Sequence, residues 1–137
     1  MGSSPIQLPD DRVVVVSTLD SWVADTRWGC PFAVMLPAYD EIQRTMSERE
    51  AQRLIDVGCV DFCCAGPEAE TLHDRLDALL ESQGRLDAVT TWHVDERDAC
   101  EYFLFAAGAT ELPLLALVGA EPRLRRALEA EARAAQE

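Results

Sequence analysis

Five short apolar runs recur along this chain, separated by turn residues and stretches of helical periodicity, and this alternation limits the fold more than any other feature. The runs are Arg12-Val13-Val14-Val15-Val16, Phe32-Ala33-Val34-Met35-Leu36, Cys59-Val60-Asp61-Phe62-Cys63-Cys64, Ala88-Val89-Thr90-Thr91-Trp92 and Leu114-Leu115-Ala116-Leu117-Val118-Gly119. Each is short for a helix, and near-continuous apolar runs of this length are the pattern of strands covered on both faces. Strands that alternate with helices imply a mostly parallel sheet joined by right-handed crossovers. The predicted class is α/β: one three-layer α/β/α domain with a mostly parallel five-stranded sheet, Rossmann-like or flavodoxin-like.

The connecting stretches carry helix signals. Ser47-Glu48-Arg49-Glu50 has capping-box spacing and predicts a helix to about Val57, stopped by Gly58, with Leu54 and Ile55 toward the sheet. Pro67 opens a second helix, whose Ala69, Leu72, Leu76, Leu79 and Leu80 form an amphipathic stripe. Asp95 is expected to cap a third helix that turns Ala99, Cys100, Phe103, Leu104 and Ala107 inward and ends at Gly108. Pro122 starts a closing helix with Leu124, Ala127 and Leu128 inward. Residues 17–31, with Trp22, Trp28, Gly29, Cys30 and Pro31, have no clean period and predict an irregular crossover or one short helix. Residues 1–11 read as a flexible N-terminal tail and residues 12–137 as a single α/β domain, the size that 137 residues suit.

Charge narrows the chemistry. Acids number 25 against 12 bases, a net charge of −13, and every base is an arginine. A chain without lysine has no Schiff-base nucleophile, no phosphate-loop lysine and no lysine general base. Acidity of this degree opposes nucleic acid and favours a basic partner or a divalent cation. No apolar run approaches the roughly 20 residues of a membrane span, and no secretory leader is evident, so a cytoplasmic location is expected. Cys30, Cys59, Cys63, Cys64 and Cys100 are odd in number, contain no Cys-x-x-Cys pair and sit largely in apolar runs, the usage of buried reduced thiols.

In open α/β sheets, ligands bind at the carboxyl ends of the strands. The candidate site is therefore drawn from Ser17 and Thr18, from residues 64–68, from residues 91–96 and from residues 119–121, with Gly66, Glu68, Thr91, Trp92, His93, Asp95, Glu96 and Gly119 as ligand-binding candidates. No Gly-x-Gly-x-x-Gly or phosphate loop is present, and acids at three helix starts (Glu68 and Glu70; Asp95, Glu96 and Asp98; Glu121) already complement the helix dipoles and oppose a phosphate. Those acids are suited to a divalent metal through oxygen ligands, with Asp95 and Glu96 as candidates, or to the arginines of a partner protein. His93 is the candidate general base, oriented by Asp95 or Glu96, and Cys64, at a strand end before a helix, is a candidate nucleophile opposed by Glu68 and Glu70.

Cys64-x-Gly66, His73-Asp74-x-x-Asp77 and Thr90-Thr91-Trp92-His93-x-Asp95-Glu96, followed by Tyr102-Phe103, resemble a group of uncharacterised small bacterial α/β proteins that share a Thr-Thr-Trp-His segment. The resemblance implies the Rossmann-like fold and carries no catalytic residues. The leading expectation is a binding module whose strand-end crevice around His93 and Asp95 takes a small ligand, a metal or a basic partner. The alternatives are a metal-assisted hydrolase with His93 as base and an acidic interaction protein of the immunity or antitoxin type.

Overall fold

A computed structural model describes residues 4–9, 12–23, 31–107 and 111–136. The chain runs through β1 (Ser4–Gln7), β2 (Val13–Val16), β3 (Phe32–Pro37), α1 (Glu41–Asp56), β4 (Cys59–Ala65), α2 (Ala69–Ser82), β5 (Val89–His93), α3 (Glu96–Phe105), β6 (Leu114–Ala116) and α4 (Pro122–Ala134). Each of the five apolar runs is a strand, and the protein is α/β with a mostly parallel sheet.

The sheet has six strands rather than the expected five, in the order β1-β2-β6-β3-β4-β5. The additional strand, β1, lies within the segment expected as a tail and pairs antiparallel with β2 from Ser4↔Val16 to Gln7↔Val13. Four residues with one aliphatic side chain, Ile6, give no readable period, and Pro5 cannot donate to a ladder, which restricts such a segment to an edge. Its capture is tertiary: Ile6 packs on the core and Leu8 beyond it is buried.

The remaining strands are parallel, and β6, the last in the chain, is inserted between β2 and β3. In both common doubly wound orders the first two parallel strands are neighbours. The Rossmann-like or flavodoxin-like expectation thus describes the parallel sheet with its packed helices and not this strand order. The path from β3 through α1, β4 and α2 to β5 steps one way across the sheet, so right-handed crossovers put α1 and α2 on one face. The return from β5 through α3 to β6 steps the other way and puts α3 on the opposite face. The core divides accordingly. Val34, Leu36, Phe62, Cys64 and Leu115 pack with Leu54, Ile55, Leu72 and Leu76, whereas Val14, Val16, Met35, Cys63 and Ala116 pack with Cys100, Phe103, Leu124 and Leu128. Successive strand residues alternate between the two sets, as the pleat requires. Cys59, Cys63, Cys64 and Cys100 are buried free thiols, and Cys30 lies outside the described residues.

One helix start differs from the expected position. α1 begins at Glu41, where the Asp40 carboxylate accepts from the Gln43 amide at 2.8 Å and the Gln43 side chain accepts from the Tyr39 amide at 2.8 Å. Asp40-Glu41-Ile42-Gln43 therefore does the capping that Ser47-Glu48-Arg49-Glu50 was expected to do. Ser47 instead lies inside the helix, buried against β3, and its hydroxyl donates to the Pro37 carbonyl at 2.7 Å. Other termini agree with expectation: Asp95 caps α3 by accepting from the Asp98 amide at 3.0 Å, Pro122 opens α4, and Gly58 takes a positive φ of 111° just past α1. α2 starts at Ala69, two residues past Pro67. Gly108, the expected end of α3, lies outside the described residues, as do Trp28 and Gly29. Within residues 17–23 the chain turns irregularly and buries Trp22, whose indole donates to Glu50 at 2.8 Å beneath the Arg53 guanidinium.

Gly66 joins β4 to α2 with φ +124°, and a Cβ there would lie 2.5 Å from the Ala38 carbonyl oxygen. Gly84 also has positive φ, +67°, but open space around it. Gly84→Ala should therefore cost about 1 kcal/mol of backbone strain. Gly66→Ala should cost about 3 kcal/mol, because overpacking against a backbone is added to strain. Urea unfolding of the two variants measures the difference, and equal losses would refute the close-approach explanation.

Candidate functional site

The carboxyl ends of the five parallel strands form one rim. Sequence reasoning drew candidates from four of the strand ends and left out the one after β3, where Tyr39, Asp40 and Gln43 stand. These residues join the rim. The Tyr39 hydroxyl donates to Glu96 at the start of α3, and the Arg123 guanidinium lies 4.6 Å over the Tyr39 ring. Arg123 also pairs with Glu121 at 3.5 Å, and Glu121 accepts from the Gln43 side-chain Nε2 at 3.3 Å. Burial, then the bond to Glu96, raise the Tyr39 pKa far above the ordinary phenol value, so its hydroxyl remains a donor. Asp40-x-x-Gln43 directly after an apolar strand was the signal that could have found this loop.

Around β5 the sequence-predicted residues meet as neighbours, with structural partners. His93 Nε2 lies 3.2 Å from the Thr91 hydroxyl, and the His93 ring centroid is 5.2 Å from that of Tyr102. The Tyr102 hydroxyl donates to Asp61 at 3.3 Å, and burial first, then Asp61, push its pKa up to about 12. Asp95 caps α3 and Glu96 accepts from Tyr39, and among the described residues the His93 ring contacts are with Thr91 and Tyr102 rather than with either acid. Among the described residues no group of three or more His, Cys, Asp or Glu side chains is arranged to hold a metal ion. Glu68 pairs with Arg44 at 3.1 Å, and Arg44 also pairs with Glu48. The Gly66 amide donates to the His93 carbonyl at 3.0 Å, which ties β4 to β5. Cys64 is fully buried, and burial raises its pKa well above the ordinary thiol value, which opposes the thiolate that a nucleophile needs.

A cleft of about 220 Å³ opens elsewhere on the rim, between the ends of β2, β6 and β3. β6 leads into α4 on one face and β3 into α1 on the other, so their following segments diverge and leave a crevice, the switch-point geometry at which open α/β sheets bind ligands. Its lining mixes apolar Leu19, Pro37, Ile42, Met46, Leu117 and Ala120 with polar Thr18, Asp20, Asp40, Gln43 and Glu121. Three carboxylates and no arginine are among the lining residues, and Arg123, outside the lining, pairs with one of them, Glu121. Gly119 holds the β6 and β2 ends together: its amide donates to the Ser17 carbonyl at 2.8 Å, and a Cβ there would fall 2.8 Å from both that oxygen and Thr18 Cγ2. The buried Ser17 hydroxyl beside it has no hydrogen-bond partner among the described residues.

A family model described as a domain of unknown function, DUF7684, matches residues 6–132. The chain belongs to the DUF7684 family. This agrees with the resemblance to an uncharacterised family. No curated protein and no solved structure matched the chain. The DUF7684 match includes all five parallel strands, so the cleft and the His93 edge are both parts of the family domain. None of the described helices of this DUF7684 chain is long and apolar enough to cross a membrane.

Burial lowers the His93 pKa from 6.5, against a smaller opposing pull from Asp98. As pH falls below that value, the unfolded chain takes up the proton more readily than the native state. Stability from the neutral ring is therefore fully present above the unfolded value of 6.5 and is lost as pH falls through the lowered native pKa. The melting temperature of the wild type should fall more steeply from about pH 7 to about pH 5.5 than that of His93→Gln. A steeper fall in the variant would show that the native ring carries a proton.

Proposed function

We propose that this protein is a binding module and that its ligand is a small organic cation, an amine or guanidine with a short apolar body, held in the switch-point cleft. The carrying observation is the composition of that cleft, which is lined by Asp20, Asp40 and Glu121 together with Leu19, Ile42, Met46 and Leu117. A cationic head would replace water at the carboxylates while the apolar body covers Ile42 and Met46, which are otherwise exposed. Thr18 and Gln43 stand where a donor group can be positioned: the Thr18 hydroxyl already donates to Asp20 at 2.8 Å, and Gln43 to Glu121. A phosphate or carboxylate ligand would meet like charge.

This reading keeps the strand-end crevice expected from sequence and moves its centre from His93 and Asp95 to the junction of β6 with β3. It also gives the metal-assisted hydrolase less support than a binding role. A base oriented by an acid needs the two within hydrogen-bond reach, and the contacts of the His93 ring are to Thr91 and Tyr102.

Calorimetry with a panel of aliphatic amines and guanidines, alongside carboxylates of matched size, tests the proposal. Cations should bind and the matched anions should not. Asp20→Asn and Glu121→Gln should each weaken binding about tenfold, the scale of one charge-assisted hydrogen bond. Failure of every cation to bind, or unchanged affinity in both variants, overturns the reading.

A further inference from the structure

The two edges of the sheet are built differently. β1 is four residues long, carries Pro5 and runs antiparallel to its neighbour. Short length and proline are ordinary means of blunting an edge. β5 has neither proline nor lysine and keeps unbroken parallel register with β4 from Asp61↔Val89 to Ala65↔His93. Among the described residues, β4 is its sole neighbour in the sheet. The His93 carbonyl points toward β4, where it accepts from the Gly66 amide, so alternation turns the N–H and C=O of Thr90 and Trp92 to the open side. None of the five β5 residues is buried, and Val89, Trp92 and, just beyond, Val94 are 49%, 41% and 55% exposed.

Acids flank this edge. On the α2 side Asp74 and Asp77 bracket His73 at 3.1 and 3.4 Å, and Asp77 accepts the Thr90 hydroxyl. Asp87 precedes the strand, and Asp95 and Asp98 follow it, all exposed. Of the arginines on the flanking elements, Arg85 donates to the Ile55 carbonyl and Arg97 pairs with Glu101 at 3.5 Å and Glu131 at 3.7 Å, while the exposed Arg75 of α2 offsets part of the charge of Asp74, Asp77 and Asp87.

We infer that β5 is a docking edge for an extended basic segment of a partner protein, which adds a strand beside Thr90 and Trp92. Main-chain hydrogen bonds would supply affinity, as in β-augmentation generally. Arginine or lysine side chains on the docked strand would reach Asp74 and Asp77 and the exposed Trp92 ring, whose face attracts a cation. A second copy of this chain is the poorer occupant, since each copy carries a net charge of −13 and pairing two β5 edges would oppose their acids. The edge is separate from the cleft, with β4 and β3 between β5 and β6, so either proposal can fail alone.

The test uses a fluorescein-labelled peptide, Arg-Thr-Arg-Val-Arg-Thr-Arg, and its glutamate counterpart, titrated with the full chain by anisotropy. The basic peptide should bind, more weakly as salt rises, and the acidic one should not. Trp92→Pro removes an outward amide and leaves the β4 ladder intact, and should weaken binding about tenfold with an unchanged circular dichroism spectrum. Trp92→Arg leaves the backbone unaltered and opposes the cation, and should weaken it similarly, which keeps the test decisive if the proline variant misfolds. Absence of binding, equal binding of both peptides or indifference to both variants overturns the inference. So does a wild-type dimer in sedimentation that Trp92→Arg dissolves, because it would assign the edge to a second copy.

Discussion

β6 is three residues long, yet the sheet is continuous only because those residues pair on both sides, with Val14–Val16 of β2 and with Ala33–Met35 of β3. Parallel strands in the middle of a sheet have no access to water, so every backbone group there needs a partner within the protein. Leu114, Leu115 and Ala116 meet that requirement with small or aliphatic side chains that are buried on both faces. Without this insertion, the β1–β2 pair would have no hydrogen-bonded connection to β3, β4 and β5. The divergence of the chain after β6 and β3, and with it the cleft, follows from the same insertion.

The excess of acid is partly consumed by the fold. Asp40 and Asp95 cap helices, Glu68 and Glu48 share Arg44, and Glu50 accepts from the buried Trp22 indole. Each satisfies a group that would otherwise be left unpaired at a helix end or in the core, where such a loss costs about 1–3 kcal/mol. Other acids line the switch-point cleft (Asp20 and Glu121) and flank β5 (Asp74, Asp77, Asp87 and Asp98), which are also places where the structure leaves concavity or open backbone. That coincidence is why both proposals name cationic partners of different size.

Much of the fold was legible because its signals are local. The valines of β2 and the leucines of α2 report a covered strand and an amphipathic stripe without reference to the rest of the chain. β1 was not legible, because one isoleucine in four residues has no period. The start of α1 was misread because two segments share capping spacing, and only the burial of Ser47 against Pro37 decides between them. The site was half legible. The rule that ligands gather at strand ends put Glu121 and Thr18 among the candidates, while Tyr39 and Gln43 were missed because the cap signal Asp40-x-x-Gln43 after β3 was passed over in favour of Ser47-Glu48-Arg49-Glu50. His93 attracted notice as a histidine at a strand end, and its neighbours proved to be Thr91 and Tyr102, the latter nine residues further along the chain on α3.

The amino-acid sequence by itself determined the α/β class, the five parallel strands, several helix termini and the acidity, because propensity, period and charge are properties of short segments. Tertiary structure alone decided that β6 lies between β2 and β3, that β5 is an edge, and that the cleft opens where the chain departs to opposite faces. Strand order depends on which distant backbones exchange hydrogen bonds, and no short segment encodes its partner.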